Sequence, residues 1–164
     1  MRRFTRSGSG LARPDYWDWQ LEGAAAVSRE APDAVVIIVG GNDAQVLWKP
    51  NGAVKWKDEP AWRAEYAGRL QRLLTTLGGY VRPVYLLSPT NRRSRKAGKR
   101  LVRVRDVQQQ VVAGLPLTRY VDTWTLTSDL RGHYVAAGPR EVGKRRAPYR
   151  HRDGIHLTRA GARA

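Results

Sequence analysis

Two short polar segments of this sequence contain residue types that could support acyl-transfer chemistry. The first is Gly40-Gly41-Asn42-Asp43, which directly follows an apolar run. Glycines let a backbone approach a substrate closely, and an Asn side-chain amide can donate a hydrogen bond to a developing oxyanion. The same residue types are also usual in an ordinary turn between a strand and a helix, so this segment alone leaves both interpretations open.

The second segment is Asp153-Gly154-Ile155-His156, near the end of the chain. An Asp and a His three residues apart on a turn can converge on one site. The histidine could then act as a general base, with the carboxylate or a carbonyl fixing its tautomer. The alternative is a surface turn that precedes a helix capped by Thr158, with an incidental histidine.

Three apolar runs predict the strands that would position these segments. Residues 34 to 39 form a continuous apolar run, which is typical of a parallel strand covered on both faces. Residues 81 to 87 and 120 to 124 predict two further strands. Ligands bind at the carboxyl edge of open α/β sheets, and Gly40 to Asp43 follow the first of these strands directly.

Helices are predicted between the strands. Residues 21 to 31 form a short one, and a longer one starts at Asp58, where an acid and a proline follow in the first turn. Its apolar face repeats at spacings of three and four and ends at a Gly-Gly pair; it comprises Trp62, Tyr66, Leu70, Leu73, Leu74 and Leu77. Another helix overlaps a basic run, and a last one is expected at Thr158. A short strand at Arg2 to Arg6 is also expected, with loops at 44 to 57 and 127 to 152.

Alternating strands and helices predict a single α/β domain with a parallel sheet. The 164 residues include no cysteine, which excludes disulfides and thiolate chemistry. The three histidines lack metal-binding spacing, so no metal or cofactor is expected. No apolar run of membrane-spanning length is present, and residues 1 to 20 have no apolar core typical of a signal peptide.

The sequence is strongly basic, with 30 Lys and Arg against 14 Asp and Glu, a net charge of +16. This charge favours either an anionic partner or a solvated basic surface, and the basic run from Arg92 to Arg105 admits the same two interpretations. Trp17 and Trp19 could form a carbohydrate platform or simply pack in the domain. No helix-turn-helix, zinc or RNP signature supports nucleic-acid binding.

Taken together, the motifs resemble those of the SGNH (GDSL-like) hydrolases. The two polar segments occur in that family's order, as its third and fifth blocks. Residues 9 to 19, SGLARPDYWDW, look like the second block as it occurs in a bacterial subfamily long labelled a domain of unknown function. A helix similar to that subfamily's W-x-x-x-Y-x-x-R-L pattern is matched by Trp62, Tyr66, Arg69 and Leu70.

The resemblance implies a fold and a set of roles. The expected fold is a flavodoxin-like three-layer α/β sandwich over residues 1 to 164, incomplete at its amino terminus, where the first strand is missing, and clipped at its carboxyl terminus. His156 would be the catalytic base and Asp153 its orienting partner. The Gly10 amide and Asn42 would be oxyanion donors, and no metal or cofactor would take part.

One family feature is missing from the sequence: no Gly-Asp-Ser segment supplies a nucleophilic serine. Ser7 and Ser9 fall in the second block, so neither is assigned that role, and the chain alone is expected to show no serine-esterase turnover. The expected function is hydrolysis or transfer of ester-linked acyl groups, with an anionic or acetylated cell-envelope polysaccharide as the substrate suggested by analogy. The alternative is an inactive SGNH-fold remnant or binding module that uses its basic surface. Relatives of this kind suggest a periplasmic or membrane-tethered location.

Overall fold

The computed structural model describes residues 1–138 and 146–163. A parallel sheet of three strands lies at its centre, in the order β1 (Val35–Ile38), β4 (Val84–Leu87) and β5 (Thr118–Val121). Val35 pairs with Val84, and Val84 pairs with Thr118, so the three strands are in register and their carboxyl ends share one edge. The predicted α/β class with a parallel sheet is therefore confirmed.

Four helices accompany this sheet, together with a hairpin of two short strands. The helices are α1 (Trp19–Glu30), α2 (Glu59–Leu77), α3 (Arg95–Ala113) and α4 (Thr123–Leu126); the hairpin strands are β2 (Leu47–Lys49) and β3 (Gly52–Val54). Side-chain caps fix where the longer helices begin. The carboxylate of Asp58 accepts from the Ala61 amide at α2, and the hydroxyl of Ser94 accepts from the Ala97 amide at α3.

The core lies between one face of the sheet and helices α2 and α3. The apolar face predicted for α2 is buried along its whole length, from Trp62 to Leu77. It packs in one cluster with the strand residues Val84 and Leu86 and with α3 residues such as Leu101. This packing fixes α2 and α3 against the strands, and the loops that leave the carboxyl edge of the sheet start from that rigid base.

The opposite face of the sheet is open in the described residues. Val36 and Ile38, which point away from the core, are 64% and 69% exposed. The apolar run had predicted a strand covered on both faces, and the structure differs because helices pack only on the side of Val35 and Ile37. Among the strands of residues 1–138 and 146–163, only β4 pairs with β1, so β1 lies at the edge of the described sheet.

Several local predictions were wrong. Residues 2 to 6 do not form a strand, since no neighbouring strand pairs with them. The segment 44–57, predicted as a loop, contains the β2–β3 hairpin, in which Lys49 pairs with Gly52 across a Pro50-Asn51 turn. Proline pre-sets the backbone of such a turn, and this signal was overlooked.

The carboxyl-terminal third also differs in detail. The third strand ends at Val121 rather than at residue 124, because Asp122 caps α4 by accepting from the amides of Trp124 and Thr125. The segment predicted to start a helix at Thr158 forms only turns through Arg163. Part of the predicted 127–152 loop, residues 139–145, lies outside the described residues.

Gly40, at the carboxyl end of β1, should tolerate substitution poorly. Its φ is +107°, and a Cβ there would lie 2.6 Å from Gln108 Nε2 and 3.0 Å from Val104 Cγ1. Gly52 has a φ of +132° with nothing within 4 Å of the added atom, so Gly52→Ala is a matched control for backbone strain. We expect Gly52→Ala to lower the free energy of unfolding by about 1–2 kcal/mol and Gly40→Ala by about 1–3 kcal/mol more. Urea denaturation measures both values. Equal decreases in the free energy of unfolding for Gly40→Ala and Gly52→Ala would contradict the crowding at Gly40.

Candidate active site

A buried carboxylate organises the turn after β1. The Asp43 side chain is fully buried and accepts hydrogen bonds from the Ala12 amide at 2.9 Å and from the Tyr66 hydroxyl at 3.1 Å. A Cβ at Gly10 would overlap the Asp43 carboxylate, so only glycine fits beside it. The contacts join residues 10–12 to the Gly40–Asp43 segment, two parts of the chain that the sequence analysis had treated as separate motifs.

Burial changes the acidity of this group. Removal from water raises the pKa of Asp43 to about 6, although the hydrogen bonds from Ala12 and Tyr66 oppose the rise. Asp43 belongs to the predicted Gly40–Asp43 motif, but no role was predicted for it. Its burial was not visible in the sequence, because the donors lie 31 and 23 positions away.

Side chains of helix α2 hydrogen-bond to backbone carbonyls in and near the two segments that Asp43 joins. The Trp62 indole donates to the carbonyl of Gln45 at 2.7 Å. The Arg69 guanidinium, which is nearly buried, donates to the carbonyls of Leu11 and Trp48, each at 2.7 Å. With Tyr66 bound to Asp43, the three polar members of the W-x-x-x-Y-x-x-R-L pattern all support the two loops.

The two proposed oxyanion donors are neighbours. Asn42 Nδ2 donates to the carbonyl of Ser9 at 3.0 Å, which sets the Asn42 amide against the residue before Gly10. The Gly10 amide donates to no acceptor within residues 1–138 and 146–163. The Ser9 hydroxyl is occupied, since it donates to the Arg6 carbonyl at 2.7 Å and accepts from the Trp19 indole at 2.9 Å.

His156 and Asp153 form a close pair. His156 Nδ1 lies 2.7 Å from Asp153 Oδ2, and Asp153 Oδ1 accepts from the amides of Ile155 at 2.7 Å and His156 at 3.1 Å. The hydrogen bond with the His156 ring, followed by those two amides, holds the pKa of Asp153 well below its usual range. The carboxylate therefore stays ionised and orients the ring, whose side chain is 75% exposed.

The segment from Thr90 to Arg93 joins the two halves of the site. The Arg92 guanidinium donates to the carbonyl of Gly41, and the Arg93 amide donates to the carbonyl of Gly154 at 3.1 Å. Arg92 and Arg93 are consecutive, so the segment that carries Asn42 and the segment that carries His156 both contact the same short stretch of chain. No hydrogen bond within the described ranges joins Asn42 to His156 directly.

Sequence reasoning missed the residue that anchors this junction. Arg150 is buried, and its guanidinium donates to Thr90 Oγ1 at 2.8 Å, Asn91 Oδ1 at 2.9 Å and the Ile155 carbonyl at 3.0 Å. It therefore ties the loop carrying His156 to the segment after β4. No local pattern predicts this role, because Arg150 is one of many arginines in a segment predicted as a loop.

A second His–Asp pair was also missed. His133 Nδ1 lies 3.3 Å from Asp129 Oδ2, and Asp129 Oδ1 accepts from the amides of Arg131 and His133. This pair resembles the Asp153–His156 pair locally but is less compact. It provides a natural comparison for experiments on His156.

The described residues include no group of three or more His, Cys, Asp or Glu side chains that could hold a metal ion. In the same ranges, no helix is both long and apolar enough to cross a membrane.

Comparison with solved structures identifies the fold. A lipase/acylhydrolase from Enterococcus faecalis matches with a TM-score of 0.64 and 21% identity, over 95% of this chain and 66% of that one. A protein from Streptococcus pneumonia, provisionally named as a platelet activating factor, matches with a TM-score of 0.53 and 18% identity, over 84% and 62%. This chain therefore spans just under two thirds of the length of both. It shares the α/β fold of these two solved proteins.

The chain belongs to the family described as DUF459, proteins of unknown function, whose model matches residues 1–164. The resemblance predicted from the motifs is thereby confirmed. No curated protein matches the sequence.

The buried Asp43 should make stability depend on pH in an unusual direction. Folding raises the pKa of Asp43, so the folded chain favours the protonated carboxyl. The stabilisation that this group gives the folded state is therefore present below about pH 4 and is lost as the pH rises through about 6. Asp43→Asn removes this titration. We expect the free energy of unfolding of the native chain, relative to Asp43→Asn, to fall by roughly 2 kcal/mol between pH 4 and pH 7.

Urea denaturation at the two pH values measures this difference. Asp33→Asn, which removes an exposed carboxyl, controls for the change in net charge. If the native chain instead becomes more stable relative to Asp43→Asn as the pH rises from 4 to 7, the pKa of Asp43 is not raised by folding and the prediction is wrong.

Proposed function

We propose that this chain carries the oxyanion-binding and base-bearing parts of an acyl-ester hydrolase or acyltransferase site. His156 is the general base, and Asp153 fixes its tautomer through Nδ1. The Gly10 amide and the Asn42 side chain stabilise the oxyanion. The observation that carries the proposal is the contact of Arg92 with Gly41 and of Arg93 with Gly154, since it supports an approach of the two halves.

The chemistry of these groups fits acyl transfer. When an ester carbonyl is attacked, its oxygen gains negative charge, and preorganised N–H donors stabilise that charge. The Asn42 side chain contacts the carbonyl of Ser9, in the same peptide unit as the Gly10 N–H, so the two proposed donors belong to one region of the site. With Nδ1 of His156 bound to Asp153, Nε2 is left to take a proton from the attacking hydroxyl.

The nucleophile is not assigned to any residue of this chain. The Ser9 hydroxyl already has two hydrogen-bond partners, which supports leaving it out. The substrate class is an ester-linked acyl group, and an anionic or acetylated polysaccharide is the substrate favoured by the family resemblance. The two similar solved proteins support a hydrolase-like fold for this chain.

The proposal is tested with p-nitrophenyl acetate. The chain alone should show no turnover that depends on His156. A form extended at its amino terminus by a strand ending in Gly-Asp-Ser should hydrolyse the ester. In that form His156→Ala should abolish turnover, and Asn42→Ala should lower kcat about 10²–10³-fold, because it removes one oxyanion donor.

His133→Ala is the matched control, since it breaks the other His–Asp pair and should leave turnover unchanged. Equal losses in His133→Ala and His156→Ala, or turnover by the chain alone that depends on His156, would contradict the assignment. In the latter case Ser7, Ser9 or a water activated by His156 would be the nucleophile.

A second candidate function is a catalytically inactive SGNH-fold binding module that uses its basic surface. The exposed side chains of Arg93, Arg95, Lys96 and Lys99 before and along the start of α3 favour it. Such a module would bind acidic polymers with an affinity that falls steeply with salt. Binding that hardly changes between low and high ionic strength would contradict it.

A further inference from the structure

A cationic cavity lies directly beside Asn42. It has a volume of about 330 Å³ and lies between the Gly41-Asn42 segment and the first two turns of α3. Small-molecule sites typically have volumes of about 300–1,000 Å³, so the cavity can hold a small group. Its wall includes Arg92, Lys96 and Arg100, here called the cavity cations, and no carboxylate from the described residues.

The cavity cations differ from Arg103 and Arg105 of α3 in their charge partners. Arg103 pairs with Glu59 at 2.6 Å, and Arg105 pairs with Asp122 at 2.9 Å. The cavity cations form no ion pair with residues 1–138 or 146–163. Positive charges gathered around one cavity repel each other unless an anion joins them, so the wall favours an anionic occupant.

Two of these cations are also partly buried. Burial lowers the pKa of Arg92, whose guanidinium donates to the Gly41 carbonyl. Arg100 stacks on the ring of Trp56 at 4.6 Å, and its Nε is buried with no hydrogen-bond partner in the described residues. An unpartnered buried donor of a charged group is costly, and an anion in the cavity would reduce that cost.

Helix α3 also adds to the positive electrostatic potential in the cavity. The cavity meets α3 at its amino-terminal turn, which Ser94 caps. The helix dipole places positive potential at this end, so it reinforces the cavity cations.

We propose that the cavity binds an anionic group, a carboxylate or a phosphate, that belongs to the ester substrate itself. This inference rests on the proposed function, because Asn42 is both an oxyanion donor and part of the cavity wall. A substrate whose ester carbonyl reaches Asn42 would have its neighbouring atoms in the cavity. Neutral esters should therefore be poor substrates compared with esters that carry a nearby negative charge.

The test is isothermal titration of the native chain at pH 7 and a fixed ionic strength of about 0.1 M. Three probes are used: monomethyl succinate, which is an ester with one carboxylate, inorganic phosphate, and the neutral dimethyl succinate. At least one of the two anions should bind and the neutral diester should not; the tighter anion identifies the class of the group. Lys96→Gln should raise the Kd of that anion about tenfold, since it removes one charged hydrogen-bond donor.

Lys99→Gln is the matched control, because it removes the same charge from an exposed position of α3 outside the cavity wall. It should change the Kd by less than about twofold, because Lys99 does not line the cavity and acts on a bound anion only through screening solvent. Equal weakening by Lys96→Gln and Lys99→Gln would overturn the proposal in favour of diffuse surface attraction. Failure of both anions to bind would overturn it outright.

The proposed function and this inference fail in different ways. If the extended form hydrolyses neutral p-nitrophenyl acetate through His156 while no anion binds the native chain, only the anionic subsite is wrong. If anions bind through Lys96 but hydrolysis is independent of His156, the subsite stands as a binding site and the proposed function is wrong.

Discussion

The structure of the candidate site depends on one carboxylate that is removed from water. Burying Asp43 is costly, and the cost is offset only if its donors stay in place. The Ala12 amide and the Tyr66 hydroxyl therefore have to hold their positions, and the residue beside the carboxylate has to be glycine. That residue is Gly10, a proposed oxyanion donor. The packing of Asp43 against the segment from Gly10 to Ala12 therefore also holds this donor in place.

Arginine extends this arrangement to the rest of the site. The buried guanidinium of Arg69 binds the carbonyls of Leu11 and Trp48, and that of Arg150 binds the Ile155 carbonyl and two side chains near β4. Arginine suits this role because its planar group carries five donors in a fixed geometry. Part of the chain's large basic excess is therefore structural rather than a surface for partners, whereas the cavity cations face an open cavity without a carboxylate.

The sequence predicted the parts of this structure that local patterns determine. The spacing of Trp62, Tyr66 and the leucines predicted α2, and Asp58 and Gly78 predicted its ends, because periodicity and caps act within a few residues. Asp122 shows where such reasoning fails: an aspartate after an apolar run can continue a strand or cap a helix, and the choice depends on its environment. The positions of Gly10, Asn42, Asp153 and His156 in motifs were visible, but Asp43 and Arg150 act through partners more than 20 positions away.

The two halves of the site differ in how they are held, and the difference matches the chemistry proposed for each. The loops that carry the proposed oxyanion donors rest on the buried Asp43 and on α2, which hold those loops in place. Such donors stabilise a transition state most when they need not reorganise. The His156 ring is exposed and held by an ionised Asp153, which keeps its orientation while leaving it open to exchange protons with water. A general base has to return to its starting protonation state after each proton transfer. An exposed His156 ring and a buried Asp43 beneath the proposed oxyanion donors are therefore both compatible with the proposed reaction.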